Sequence, residues 1–249
     1  MRILSYNVQF LPLPFMHIKK RKQRIGKFIS KSKFEIVCLQ ENFIKKYTFL
    51  PGQTIHVMES FLPEYNCAYS PLPSEGLFRM CNSGLSTYSL YPMLRSRFFT
   101  FTKSTYTDRF AAKGILYTKL QIETNKQIHV FNVHLQSGLS KKCNNIRSSQ
   151  LREMKQFISE IVQEDNHPIV IAGDFNQTMY TTDFVPFFRE QCSTASTGLT
   201  YKNRVLDYIF TQQRIGEISI LKSSNHTLTS SKRKMNSDHC GISVTININ

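Results

Sequence analysis

The sequence predicts an α/β fold, and three patterns carry that prediction. Short apolar runs such as Ile36-Val37-Cys38-Leu39 and Ile169-Val170-Ile171-Ala172 lack polar alternation, the mark of strands covered on both faces. Longer segments at 17–32 and 146–162 gather apolar residues on one helical face. Finally, the strand-like runs end on polar side chains, Asn7, Glu41, His134 and Asp174 with Asn176. Open α/β sheets meet their ligands at the carboxyl ends of strands, so these endings mark a site as well as a fold. Gly173-Asp174-Phe175-Asn176, after its apolar run, is the organising stretch.

Residues 3–8 read as the first strand, with Pro12 and Pro14 barring its continuation. A helix is predicted over 17–32, where Ile18, Ile25, Phe28 and Ile29 face inward and Lys19, Lys20, Arg21, Lys22 and Arg24 cover the remainder. The second strand, 35–41, closes on Glu41. Residues 43–79 are loop-rich, with Pro51, Pro63, Pro71 and Pro73. Strands resume at 83–89 and 98–102. A long alternating run at 115–122 and a second at 128–134, separated by Glu123-Thr124-Asn125-Lys126, predict an antiparallel hairpin ending on His134. The helix at 146–162 turns Leu151, Met154, Phe157, Ile158 and Ile161 inward and leads through Pro168 into the organising strand. After a variable region to residue 202, a strand at 205–210 carries Asp207 inside an apolar run. An acid there is costly unless it is paired, and His239, just before the last strand at 242–248, is its natural partner.

The 249 residues show no linker, repeat or low-complexity segment, so one catalytic domain over 1–249 is expected. No run approaches the roughly 20 apolar residues of a membrane span. The six cysteines form no C-x-x-C pair and no compact framework, which argues against a zinc site or a disulfide scaffold. Lys and Arg number 32 against 17 Asp and Glu, a formal charge of +15 that attracts nucleic acid and acidic membrane surfaces alike. The chain enters its first strand without an apolar leader. The expected location is therefore cytoplasmic or peripheral to a membrane, extracellular only by a non-classical route. Nothing in the pattern sets an oligomeric state.

Taken together, Ser5-Tyr6-Asn7, Leu39-Gln40-Glu41, His134, Gly173-Asp174-Phe175-Asn176, Leu206-Asp207-Tyr208-Ile209 and Ser237-Asp238-His239 resemble, in content and order, the endonuclease/exonuclease/phosphatase superfamily. The resemblance implies a DNase I-like, four-layered α/β sandwich, two mostly antiparallel sheets flanked by helices, with a Mg²⁺-dependent phosphoester hydrolase site. More particularly, Asp108-Arg109-Phe110-Ala111-Ala112-Lys113-Gly114, His134-Leu135-Gln136-Ser137 and Arg147-Ser148-Ser149-Gln150-Leu151 resemble the neutral Mg²⁺-dependent sphingomyelinases of the phospholipase C type. Asn82 stands where secreted relatives carry an acid beside the Ser-Gly pair, and no long membrane-inserting hairpin is evident. Phe184 to Phe188 is the nearest candidate, and also reads as core.

By resemblance, Glu41 binds Mg²⁺ with Asn7 beside it and Asp238 as a ligand or neighbour of the ion. His239 is the general base, polarised by Asp207, while Asp174 orients the water and Asn176 and His134 bind the developing oxyanion. An unperturbed histidine would make activity rise through about pH 6 to 7. The expected reaction is cleavage of sphingomyelin, or a related choline phospholipid, to ceramide and phosphocholine at a phospholipid membrane surface. The alternative is a Mg²⁺-dependent endonuclease, for which the positive charge suits a nucleic-acid partner. A fold that kept the site without turnover is disfavoured by the full set of polar residues.

Overall fold

The computed structural model describes residues 1–11, 18–43, 58–72, 81–163, 165–178, 192–195, 198–212, 218–228 and 235–248. In chain order the strands are β1 (Arg2–Asn7), β2 (Ile36–Gln40), β3 (Asn66–Tyr69), β4 (Ser86–Ser89), β5 (Met93–Thr100), β6 (Gly114–Glu123), β7 (Lys126–His134), β8 (Ile169–Asp174), β9 (Cys192–Ala195), β10 (Asp207–Gln212), β11 (Ile218–His226) and β12 (Gly241–Ile248). Helix α1 (Ile18–Ser32) lies between β1 and β2 in the chain, and α2 (Lys141–Val162) between β7 and β8. The strands form two six-stranded sheets, ordered β11-β12-β1-β2-β4-β3 and β5-β6-β7-β8-β10-β9. Among the named strands only β1 with β2 and β7 with β8 pair in parallel; the other described strand pairs are antiparallel. This is a mixed α/β fold of DNase I-like architecture.

Strand alternation explains why the apolar runs are unbroken. Ile3, Ile36, Cys38, Val130, Val170, Ala172, Ile209 and Val244 share the cluster formed by strands of both sheets. Their neighbours Leu4, Tyr6, Val37 and Leu39 turn the other way onto Ile25 and Ile29 of α1. In the second sheet Phe131, Ile169, Ile171 and Tyr208 turn onto Leu151, Met154 and Phe157 of α2. Both faces of each central strand are therefore apolar, and each buried Ile or Leu contributes roughly 1.5–3 kcal/mol. The result is four layers, helix, sheet, sheet and helix.

Several expectations shift. Helix α2 begins at Lys141, because the Ser140 side chain accepts a hydrogen bond from Cys143 N and caps the helix ahead of its apolar stripe. On α1 the basic face is smaller than expected, since Arg21 and Lys22 are buried. The Arg21 guanidinium donates to the carbonyls of Val8, Gln9 and Asn236. Strand β4 starts three residues late, as Asn82 and Ser83 accept hydrogen bonds from Gly84 N and Leu85 N in local turns. The strand expected at 98–102 is instead Met93–Thr100. The aromatic group at 184–188 lies outside the described residues. Cys38, Cys67, Cys81, Cys143 and Cys240 are free, and no described helix is long and apolar enough to cross a membrane.

Candidate active site

Register brings the polar strand ends to one edge. In the first sheet Asn7 stands opposite Gln40, with Glu41 next along the chain. Across the second sheet His134, Asp174 and Asp207 form one row over β7, β8 and β10. Gly173, at φ 156°, permits the row. A Cβ there would come within 2.0 Å of the Val133 carbonyl oxygen, so any side chain would force β7 and β8 apart just before Asp174. A buried bridge joins the sheets beneath the site. Gln40 Nε2 donates to Asn132 Oδ1 (2.8 Å), and Asn132 Nδ2 donates to the carbonyls of Leu39 and Ser86. Glu41 itself adopts φ 57°, and Asn176 φ 52°, positions that non-glycine residues occupy where the surroundings hold them.

Asn7 is the hinge of the polar network. Its Nδ2 donates to Glu41 Oε1 and to Asp174 Oδ2, both at 3.0 Å, while its Oδ1 accepts from Gln9 N. Asp174 Oδ2 also lies 3.5 Å from His134 Nε2 and 3.7 Å from His239 Nε2, and Oδ1 accepts from Asn176 N. His239 Nδ1 meets Asp207 Oδ2 at 2.9 Å, which leaves Nε2 toward Asp174. Asn176 Nδ2 donates to the Leu135 carbonyl. Glu41, His134, Asp174, Asn176 and His239 line a cavity of roughly 460 Å³ together with Asp238, Lys113, Asp108, Tyr201, Lys202 and Arg204, while Asn7 and Asp207 support it from behind.

The charges are strongly coupled. Burial and the neighbouring Asp207 push the Asp174 carboxyl up to about 7. Burial alone would lower His239, but Asp207 and Asp174 override it and raise the imidazole to about 10. The expected rise of activity through pH 6 to 7 took an unperturbed histidine, whereas the His239 imidazole is raised by its carboxylates. His134 goes the other way, held well below its ordinary value by burial and by Lys113. It is a neutral imidazole. Glu41 is raised, chiefly by burial.

The donor set fits a hard divalent cation. Ligand atoms of Asp174, Asp207 and His239 lie within 4.8 Å of one another, so this trio could coordinate an ion such as Mg²⁺. Buried oxygens Asp207 Oδ1 and Asp238 Oδ1 have no hydrogen-bond partner, a costly state that a cation would relieve.

All eight residues named from sequence reach this edge: Asn7, Glu41, His134, Asp174, Asn176, Asp207, Asp238 and His239. Lys113 was quoted only as part of a motif. It is buried, with Nζ 2.9 Å from His134 Nε2, 2.7 Å from the Leu135 carbonyl and 3.3 Å from Asp108 Oδ2. The signal that could have found it is a lone lysine inside Ala-Ala-Lys-Gly-Ile-Leu, which must be paired if the strand is buried. Tyr201, whose ring centroid lies 4.7 Å from that of His239, carried no such signal.

Fold and site together define a hydrolase architecture able to hold a metal ion and consistent with phosphodiesterase activity. The sequence model of the Endonuclease/Exonuclease/phosphatase family matches residues 4–226, and the chain belongs to that family. It is 27% identical to a sphingomyelinase of Dictyostelium discoideum over 175 residues, 58% of this chain and 37% of the relative. To the inositol phosphosphingolipids phospholipase C of Schizosaccharomyces pombe it is 26% identical, over 71% of this chain and 41% of that protein. The chain spans well under half the length of these curated relatives. In fold it is similar to the beta toxin of Staphylococcus aureus, with TM-score 0.77, 20% identity and coverage of 98% of this chain and 99% of that one. It is also similar to D. rerio TDP2 complexed with a single strand DNA product, with TM-score 0.76, 15% identity and coverage of 99% and 98%.

Proposed function

We propose that the chain, acting as one catalytic domain, hydrolyses a sphingophospholipid by the phospholipase C route, with Mg²⁺ as cofactor and sphingomyelin as the reference substrate. Water adds to phosphorus and gives up a proton, the P–O bond to ceramide breaks with the ceramide oxygen taking up a proton from solvent to leave as the alcohol, and the phosphorylated headgroup is released. The observation that carries this reading is the Asp207–His239 pair facing Asp174 in a cavity that also holds Glu41 and Lys113.

Asp207 fixes the tautomer of His239 and leaves Nε2 to take the proton of the attacking water. Asp174 orients that water, and Asn7 keeps Asp174 and Glu41 side by side. Glu41 is the favoured metal ligand, with Asp238 beside it, because Asp207 Oδ2 is committed to the imidazole and Mg²⁺ prefers oxygen to nitrogen. A divalent cation there supplies positive charge that stabilises the phosphoryl oxygens and offsets the carboxylate field holding a proton on His239. Asn176 offers an amide donor, and Lys113 positive charge, to the non-bridging oxygens, while His134 accepts from Lys113 through Nε2 and so holds the ammonium in place instead of donating through that atom. No serine or cysteine sits in a nucleophile motif, so no phosphorylated enzyme is involved.

Membrane encounter at a phospholipid surface is supported by the rim. Leu139 is 67% exposed on the cavity wall, and Tyr106, 58% exposed, meets Lys142 in a cation–π contact. The +15 charge and the DNA-bound TDP2 likeness favour nucleic acid as the second reading. Purified protein assayed on sphingomyelin vesicles, phosphatidylcholine vesicles and plasmid DNA, with and without Mg²⁺, separates the two. Mg²⁺-dependent release of phosphocholine is expected; plasmid cleavage with no lipid turnover would defeat the lipid reading.

A further inference from the structure

We infer that the turn at 201–204 selects the headgroup, and that it favours a phosphate-linked polyol over a quaternary ammonium. The inference deepens the phosphodiesterase reading and rests on it. The turn is fastened to both halves of the His239–Asp207 pair. Tyr201 N and Thr200 N donate to the Arg204 carbonyl, and Arg204 N donates to that of Tyr201. Thr200 then ties the turn down, its carbonyl accepting from Cys240 N (2.7 Å) and its hydroxyl from Leu206 N and Asp207 N. The turn is therefore a wall at a fixed distance from the reacting groups.

That wall is the wrong shape and charge for choline. A quaternary ammonium is recognised by aromatic faces. Among the described residues lining the cavity, Tyr201 supplies the one benzene ring, and it is already engaged: Lys202 Nζ lies 5.1 Å from its centroid, and His239 packs against it at 4.7 Å. The chain's own ammonium thus stands where choline's would go. Arg204 adds a second cation to the same wall. Of the four lining carboxylates, Glu41 and Asp174 share Asn7, Asp108 is paired with Lys113, and Asp238, whose Oδ1 has no hydrogen-bond partner, stands beside Glu41 for the divalent cation. Lys202, Asn203, Arg204, Gln9 and Thr107 offer ammonium, amide, guanidinium and hydroxyl donors to the cavity. Hydroxyls of a polyol accept such bonds; a trimethylammonium accepts none.

The test is calorimetric binding of myo-inositol 1-phosphate and of phosphocholine to the protein, with and without Mg²⁺. Inositol phosphate is expected to bind at least about tenfold tighter, the scale of one charge-assisted contact. Equal binding, or tighter phosphocholine, overturns the inference. Lys202 sits at φ 49° and is exposed, so Lys202→Asn removes the ammonium at a position asparagine tolerates. Combined with Arg204→Gln it should shrink the preference about tenfold, and Lys202→Glu should shift it further toward phosphocholine, with melting curves verifying the fold. An unchanged ratio in folded variants overturns the assignment to this turn. Turnover of phosphoinositol ceramide and sphingomyelin vesicles separates the two failures. Hydrolysis of both with choline favoured sinks only the headgroup inference; plasmid cleavage with neither lipid touched sinks the lipid reading and this inference with it.

Discussion

Two of the hydrogen-bonded imidazole–carboxylate pairs among the described residues behave in opposite ways. At the site, His239 Nδ1 meets Asp207 Oδ2 at 2.9 Å. Near the other end of β7, His129 Nε2 meets Asp165 Oδ1 at 2.5 Å, while its Nδ1 reaches the Tyr117 hydroxyl at 2.9 Å. His239 faces several carboxylates and is raised. His129 is lowered, first by burial and then by Lys119 and His167, in spite of Asp165. Asp165 in turn is held well below the usual carboxylate range, since its hydrogen bonds from Lys119 and His129 outweigh its burial. Both ring nitrogens of His129 are used within the fold, whereas His239 keeps one toward a cavity. Pairing with an acid therefore does not make a site; a free ring nitrogen, surplus carboxylate and space do.

The sharpest contrast is in rate. His239→Ala and Asp207→Ala should each lower kcat by about 10³-fold or more, and the double variant should be little worse, because the groups act as one unit. His129→Ala should leave kcat within about twofold, as it lies outside the proposed mechanism. Multiplying losses at the site, or a comparable loss at His129, would erase the distinction. Glu41→Ala comes next, with loss of Mg²⁺-dependent turnover and weaker Mg²⁺ binding by calorimetry, while the melting temperature holds; retained Mg²⁺ dependence would remove Glu41 from the metal site.

Stability should show the reverse ranking. Asp165→Asn is expected to cost about 1–2 kcal/mol at pH 7 in chemical denaturation, the scale of lost charge-assisted bonds. The sign follows from the shifts. A carboxylate depressed in the fold stabilises above its unfolded pKa of about 3.9, so the gap between wild type and Asp165→Asn should close as pH falls below about 4. His129, also depressed, favours its neutral form in the fold. Relative to His129→Gln, wild type should lose stability as pH falls below about 6.5, the unfolded value. A gap at Asp165 that widens in acid would refute a stabilising role for its bonds to His129 and Lys119. Smallest of all, neutralising the exposed Lys19, Lys20, Arg24 and Lys27 should weaken binding to anionic vesicles by a few-fold at low salt, at roughly 1 kcal/mol or less per charge. Vesicle sedimentation insensitive to both the variant and salt would exclude that face.

The apolar runs and the polar residues that end them were legible in the sequence, because strands covered on both faces must be apolar throughout and any polar side chain stands out. Hence β1, β2, β6, β7, β8, β10 and β12, and the eight site residues, could be read directly. The edges could not. β3, β9 and β11, which went unrecognised, are all outermost strands. Solvent covers much of β3 and β11, as in Asn66, Cys67, Leu221 and Lys222, so no apolar run marks them. Tertiary structure alone decided which polar groups became a site. Register set Asp207 opposite Asp174, Asn7 joined Asp174 to Glu41, and Lys113 met His134 across 21 residues of sequence. It likewise gave His129 and His239 opposite electrostatic fates. A residue's charge state depends on every group within a few ångströms, and the sequence names those groups without saying which ones the fold brings together.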